Sequence, residues 1–204
     1  MIHRRPHDLG LVGDAGDGDV RRQLASCRFQ RTIDVVRAMR TLAVEDPGDR
    51  SVDDVARRAG MRLAAIPVDA SGVDVERLAA SGADAVLVTP AHQSPTGAVL
   101  SPARRAALVD WAARGGGWVI EDDYDSELRY GARPLPSLQS LDNSGRVIYA
   151  GTFSKLLFPS LRLGYVVMPE PLLEGFITLK HLNDDHLPLL DQATLALFLE
   201  SGAF

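Results

Sequence analysis

Short apolar runs alternate with stretches of helix-spaced apolar residues through most of this chain, and that alternation predicts its architecture. The clearest run is Ala85-Val86-Leu87-Val88-Thr89, nearly continuous in the way of a strand covered on both faces. Residues 42–44, 63–67, 118–122 and 147–150 read as further strands, the last ended by Gly151. Helices are predicted between them. Ser51 is placed to cap one through residue 59, with Asp53 and Asp54 in its first turn and Gly60 stopping it. Residues 75–80 form a short one. Ser101-Pro102 opens a longer one over 103–114, which the glycines at 115–117 end. Asp46-Pro47-Gly48-Asp49 and Pro95-Thr96-Gly97 read as turns. From Pro171 the chain reads as helix, over 172–182 and again over 187–200.

The first 40 residues are the least regular. Gly10, Gly13, Gly16 and Gly18 mark a loop, followed by helical stretches at 20–25 and 28–40 with Ile33, Val36 and Met39 on one side. These glycines do not follow a strand in Gly-x-Gly-x-x-Gly spacing, so the dinucleotide fingerprint is weak here. Strands alternating with helices predict an α/β fold in three layers, a mostly parallel sheet with helices on both faces. The expected division is a shortened segment over 1–40, a large domain over 41–170, and a helical segment over 171–204 leading toward a missing small domain.

Composition narrows the function classes. The chain has 204 residues, 46% apolar and 24% charged, enough for one domain with a sizeable core. A formal charge of −5 argues against direct contact with nucleic acid. The single Cys27 excludes an internal disulfide framework and fits a reducing cytoplasm. No apolar run reaches the roughly 20 residues of a membrane helix, and the N-terminus carries no secretory signal.

In open α/β sheets ligands bind at the carboxyl ends of strands. Three such ends carry chemistry here: Pro90 to Gly97, Glu121-Asp122-Asp123-Tyr124-Asp125, and Thr152-Phe153-Ser154-Lys155 with Arg162 seven residues on. Lysine occurs only at 155 and 180. Burial among Phe153, Leu156, Leu157 and Phe158 would make Lys155 costly to keep as an ammonium, and a neutral amine attacks carbonyls. A lone lysine more often lies along apolar surface with its head in water. Thr152, Ser154 and Arg162 could hold a phosphate. An acid cluster alone would suggest a metal or a solvated face. Beside such a lysine and such a phosphate grip, a partner for a pyridinium is favoured and no metal is expected.

The segments Thr-Pro-Ala-His-Gln-Ser-Pro-Thr-Gly, Ile-Glu-Asp-Asp-Tyr-Asp-Ser-Glu-Leu-Arg-Tyr and Gly-Thr-Phe-Ser-Lys-Leu-Leu-Phe-Pro-Ser-Leu-Arg-Leu-Gly-Tyr occur in this order. They resemble the fold-type I aminotransferases that depend on pyridoxal 5′-phosphate (PLP). More narrowly, they resemble the aminotransferase-like domain of MocR/GntR-type bacterial regulators. The resemblance runs from about Thr41 to the C-terminus. It implies that Lys155 is the Schiff-base lysine and proton shuttle, and that Asp122 pairs with the ring nitrogen. It further implies that Tyr124 approaches the ring's phenolic oxygen, and that Thr152, Ser154 and Arg162 grip the phosphate. Asp123 and Glu121 receive no role, and His92 is expected to be structural.

The departures from the family pattern are specific. Ser94 stands where most members have an asparagine that contacts the ring oxygen. Asp49 stands where an aromatic commonly stacks on the ring. The glycine-bearing phosphate loop is missing, with Arg28 near its place. Beyond Phe204 the small domain with its carboxylate-binding arginine is expected to be missing, and no winged helix is expected ahead of the stretch of resemblance. Three expectations stand: a transaminase-type domain acting on an amino acid or amine, an effector-sensing module of a regulator, or an inactive fragment. A cytoplasmic homodimer is the expected form.

Overall fold

Runs of small and β-branched residues build the strands, and polar side chains placed at loop ends fix where each helix begins. The computed structural model describes residues 39–115, 117–128, 135–185 and 188–202. Their strands are β1 (Thr41–Asp46), β2 (Arg62–Asp69), β3 (Gly72–Val73), β4 (Ala85–Val88), β5 (Trp118–Asp123), β6 (Val147–Thr152) and β7 (Gly164–Val167). Their helices are α1 (Arg50–Arg58), α2 (Val75–Ala80), α3 (Pro102–Gly115), α4 (Leu138–Leu141), α5 (Glu170–Asp184) and α6 (Leu189–Glu200).

The sheet order is β3-β2-β1-β4-β5-β6-β7. β2, β1, β4, β5 and β6 run parallel, while β3 and β7 pair antiparallel at the two edges. The register sets Val44 beside Leu87, Leu87 beside Ile120, and Asp122 beside Ala150. Because side chains alternate along a strand, each face has its own core. Ala43, Val86, Val88, Val119 and Val147 pack with Leu78, Leu108 and Leu138 from α2, α3 and α4. On the other face Leu42, Val44, Ala85 and Trp118 pack with Ala56 of α1 and Leu172 of α5. This is the α/β sheet with helices on both faces that the alternation predicts.

Winding reverses between β1 and β4. From β1 the chain moves outward to β2 and β3, then returns to lay β4 on β1's other side. Adjacent loops therefore diverge above this pair and leave a crevice at the carboxyl ends, the usual ligand position in such sheets.

Several local expectations are corrected. Asp49, not Ser51, caps α1, its carboxylate accepting from the Ser51 amide at 2.8 Å. Gly151 does not end β6 but lies inside it, opposite Tyr165 on β7; a Cβ there would overlap the Tyr165 ring. Gly117 leaves similar room for the Trp111 indole. β3 and α4 were not expected. Met39 and Arg40 are not helical, and the rest of the expected 20–25 and 28–40 helices lies outside the described residues.

Candidate active site

The crevice is a small, partly open cleft. Val44, Leu87 and Val52 give it an apolar floor, while Glu45, Asp49, Thr89, Ser94 and Asp122 supply polar walls. Three positions singled out in the sequence, Asp49, Ser94 and Asp122, thus meet in one cavity. Asp122 is half-buried, and no hydrogen-bond donor among the described residues engages its carboxylate. Burial first, then the charges of Asp123 and Asp49, push its pKa above the usual carboxylate value. Asp49 has the opposite trend, because the Ser51 amide and hydroxyl favour its ionised form.

The two walls are tied together. Thr89 donates to Glu45 Oε2 from both its amide (3.2 Å) and its hydroxyl (2.7 Å). Gln93, only 2% exposed, donates to the same oxygen, to the Pro47 carbonyl at 2.9 Å and to the Ser94 carbonyl at 2.7 Å. Its own carbonyl accepts from the Thr96 amide and hydroxyl. The Ser94 amide donates to Thr89 Oγ1 at 3.3 Å. Burial raises the pKa of Glu45, partly offset by these donors. Beneath, Arg105 is buried in α3 and donates to the carbonyls of Leu100, Pro90 and Pro136, so a cation braces the loop from below.

The acids at the end of β5 divide by face. Glu121 is buried and accepts from the Leu138 and Gln139 amides at the start of α4, a capping role; burial raises its pKa. Asp123 accepts from Ser126 and from the Tyr149 hydroxyl at 2.7 Å. The Tyr124 hydroxyl donates to the His92 carbonyl at 2.6 Å, and His92 Nδ1 lies 2.8 Å from Asp125. Among the described residues no group of three His, Cys, Asp or Glu side chains is arranged to hold a metal ion.

The remaining predicted residues sit on the connection from β6 to β7. Its neck is closed by the Phe153 amide donating to the Leu163 carbonyl at 3.0 Å. Thr152 Oγ1 accepts from the Ser154 amide at 3.1 Å. Thr152 shares its sheet face with Asp122, since Ala150 pairs with Asp122 and lies two residues earlier. Arg162 is exposed and held at φ 51°, a left-handed conformation that costs a non-glycine residue energy. Lys155 is exposed, which corrects the expectation that Phe153, Leu156, Leu157 and Phe158 bury it. It stands on a tight turn, and Phe158 itself is exposed. Thr152, Ser154, Lys155 and Arg162 form a second group beside the cleft rather than part of its lining.

Sequence reasoning missed Glu45, Thr89, Gln93 and Arg105. Polar residues within otherwise apolar surroundings were the available signal. Only a long-range contact, 44 residues apart for Glu45 and Thr89, reveals what each does.

Comparison with known proteins follows the same lines. The profile of aminotransferase class I and II matches residues 35–189. The probable rhizopine catabolism regulatory protein MocR of Rhizobium meliloti is 42% identical over 79% of this chain and 33% of its own length. The pyridoxine biosynthesis transcriptional regulator PdxR of Corynebacterium glutamicum is 39% identical over 85% of this chain and 37% of its own. The chain therefore spans about a third of the length of the curated relatives it matches. Among solved structures, the Pyrococcus horikoshii kynurenine aminotransferase superposes with a TM-score of 0.77 at 26% identity, covering 88% of this chain and 47% of that one. The α-aminoadipate aminotransferase LysN of Thermus thermophilus, complexed with N-(5′-phosphopyridoxyl)-L-leucine, gives 0.76 at 27% identity, covering 86% and 48%. Matching three-quarters of its residues to that profile and folding as those enzymes do, the chain belongs to the aminotransferase class I and II family.

Proposed function

We propose that this chain is a PLP-binding domain of aminotransferase type that takes an amino acid or amine through covalent chemistry at Lys155. The observation that carries the reading is Asp122, a partly desolvated carboxylate facing a cleft with no donor to it among the described residues. Such a group is stabilised by a protonated ring nitrogen, and the apolar floor of Val44, Val52 and Leu87 suits an aromatic ring above it. The residues present therefore fit the cofactor. When bound, PLP supplies an electron sink that labilises bonds at the α-carbon of an amino substrate.

The chain's own residues have distinct tasks in this reading. Asp122 would hold a proton on the ring nitrogen. Ser94 would offer a hydroxyl from the wall, shorter than the family's asparagine. Thr152, Ser154 and Arg162 would hold the phosphate, Arg162 with a fork that can make two parallel hydrogen bonds. Lys155 Nζ would form the covalent link and, once released, accept and return a proton. Tyr124 stands beside the cleft.

A second reading has its own support. Identity near 40% to HTH-type regulators suggests that the same chemistry serves to sense a metabolite inside a longer regulatory protein. The two readings share one test. Adding PLP to the purified protein should produce a new near-visible absorbance band that borohydride makes permanent, with the mass of the Lys155 peptide increased accordingly. Lys155→Ala should lose the band. An unchanged spectrum of the wild-type protein would remove the cofactor reading. A spectral change on adding amino donors that continues with turnover favours the enzyme; one that halts after a single equivalent favours the sensor.

A further inference from the structure

Among the described residues, every ionisable side chain lining the cleft is an acid: Glu45 from β1, Asp49 at the start of α1 and Asp122 from β5. Their situations differ. Glu45 is engaged by the loop, since one of its oxygens takes the Thr89 amide, the Thr89 hydroxyl and the Gln93 side chain. Asp122 has no donor among the described residues. Asp49 is fixed by the turn that carries it. A Cβ on Gly48 would overlap the Glu45 carbonyl, so the chain doubles back tightly there. The Asp49 carboxylate then accepts from the Ser51 amide at 2.8 Å, and its carbonyl from the Val52 amide at 3.2 Å, which anchors it on the first turn of α1. The helix N-terminus favours its anionic form. Its charge is felt at Asp122, which also faces Asp123 and Tyr124 of its own segment and Glu45 of β1. Lys155 and Arg162 are exposed on the connection from β6 to β7 and do not line the cleft.

Resting on the cofactor reading above, we propose that Asp49 is a specificity-determining residue. With Asp122 it makes the cleft select a heteroaromatic ring that carries positive charge over a neutral ring of the same shape. A carboxylate cannot stack on a ring as an aromatic side chain does, so Asp49 acts through charge. Two carboxylates whose repulsion one bound cation relieves favour that cation more than either would singly. The apolar floor of Val44, Val52 and Leu87 accepts both rings alike, so shape is left to the floor and charge to the acids. Because Asp49 is exposed, its share is modest and screened by salt.

Equilibrium dialysis with two compounds tests this: pyridoxamine 5′-phosphate, and its 1-deaza analogue, in which a CH group replaces the ring nitrogen and the ring is never a cation. Both carry the same aminomethyl group and phosphate, and neither has an aldehyde to react with Lys155, so their ratio reads the ring alone. Asp49→Asn is the informative variant, because asparagine caps a helix as well as aspartate does. It should lower the preference for the nitrogen ring about threefold, by weakening that compound and not the analogue. The difference from wild type should close as salt approaches about 1 M. In the protein without ligand, the Asp122 carboxyl followed by carbon-13 NMR should titrate at lower pH in Asp49→Asn than in wild type. An unchanged preference in Asp49→Asn, an equal loss for both compounds, or an unmoved Asp122 titration overturns the proposal. Wild type that takes up neither compound removes the cofactor reading and the proposal with it, whereas uptake with an unchanged preference removes the proposal alone.

Discussion

Asp122 stands where an ionised carboxylate is poorly served: partly out of water, near the charges of Asp123 and Asp49, and without a donor among the described residues. Its folded pKa is raised, so the folded chain binds a proton more readily than the unfolded one, and stability from this site falls as pH rises above the usual carboxylate range. Glu45 and Glu121 push in the same direction. Asp142, by contrast, is drawn below its usual value despite burial by the Ser144, Val147 and Arg146 donors, and its contribution is lost as pH falls. Asp122→Asn should therefore raise the stability of the PLP-free protein at neutral pH by up to ~1 kcal/mol and lessen the decline in stability just above the usual carboxylate range. The same variant should bind PLP more weakly. Denaturant melts across pH, with and without PLP, check both halves, and a destabilised PLP-free variant would contradict the account of this residue.

At the scale of elements, the pairing of β6 with β7 carries a tight local constraint. Tyr165 lies across Gly151 and tilts against Phe153 and Tyr149, with ring centroids 5.4 and 6.0 Å away. Gly151→Ala should force the ring aside at a cost of about 1–3 kcal/mol, visible as an earlier denaturation midpoint. Removing a core leucine offers a reference: Leu108→Ala in α3 should cost about 2–5 kcal/mol. Elements of this kind were legible in the sequence wherever one period dominated, as in β4, β5 and α3. Gly151 was misread because a glycine that ends a strand and one that admits a ring look alike until the facing strand is known. Arg105 and Glu121 were illegible for a related reason: Arg105 reaches the Pro90 and Pro136 carbonyls 15 and 31 residues away, and Glu121 reaches amides 17 and 18 residues away. Lys155 lies on the connection from β6 to β7, where flanking apolar residues do not bury it, because a tight turn sends neighbours in different directions.

Among the described residues several apolar side chains are exposed: Tyr165, Val166 and Val167 on the edge strand β7, Ile177 and Leu182 on α5, and Leu189, Leu190 and Leu197 on α6. Edge strands and contiguous apolar patches favour association, so sedimentation should detect concentration-dependent self-association, and Val166→Lys should weaken it. Among the described residues no helix is long and apolar enough to cross a membrane. The reversal of winding at β1 and β4 has a consequence of another kind. Its two banks are joined by bonds spanning 44 to 48 residues, and Asp122 arrives later still, from β5. No fragment lacking β1, β4 or β5 can own the hollow, so it comes into being only when these three strands have paired. A small molecule seated there would act as a gauge of completed folding, tightening the entire chain in proportion to its concentration.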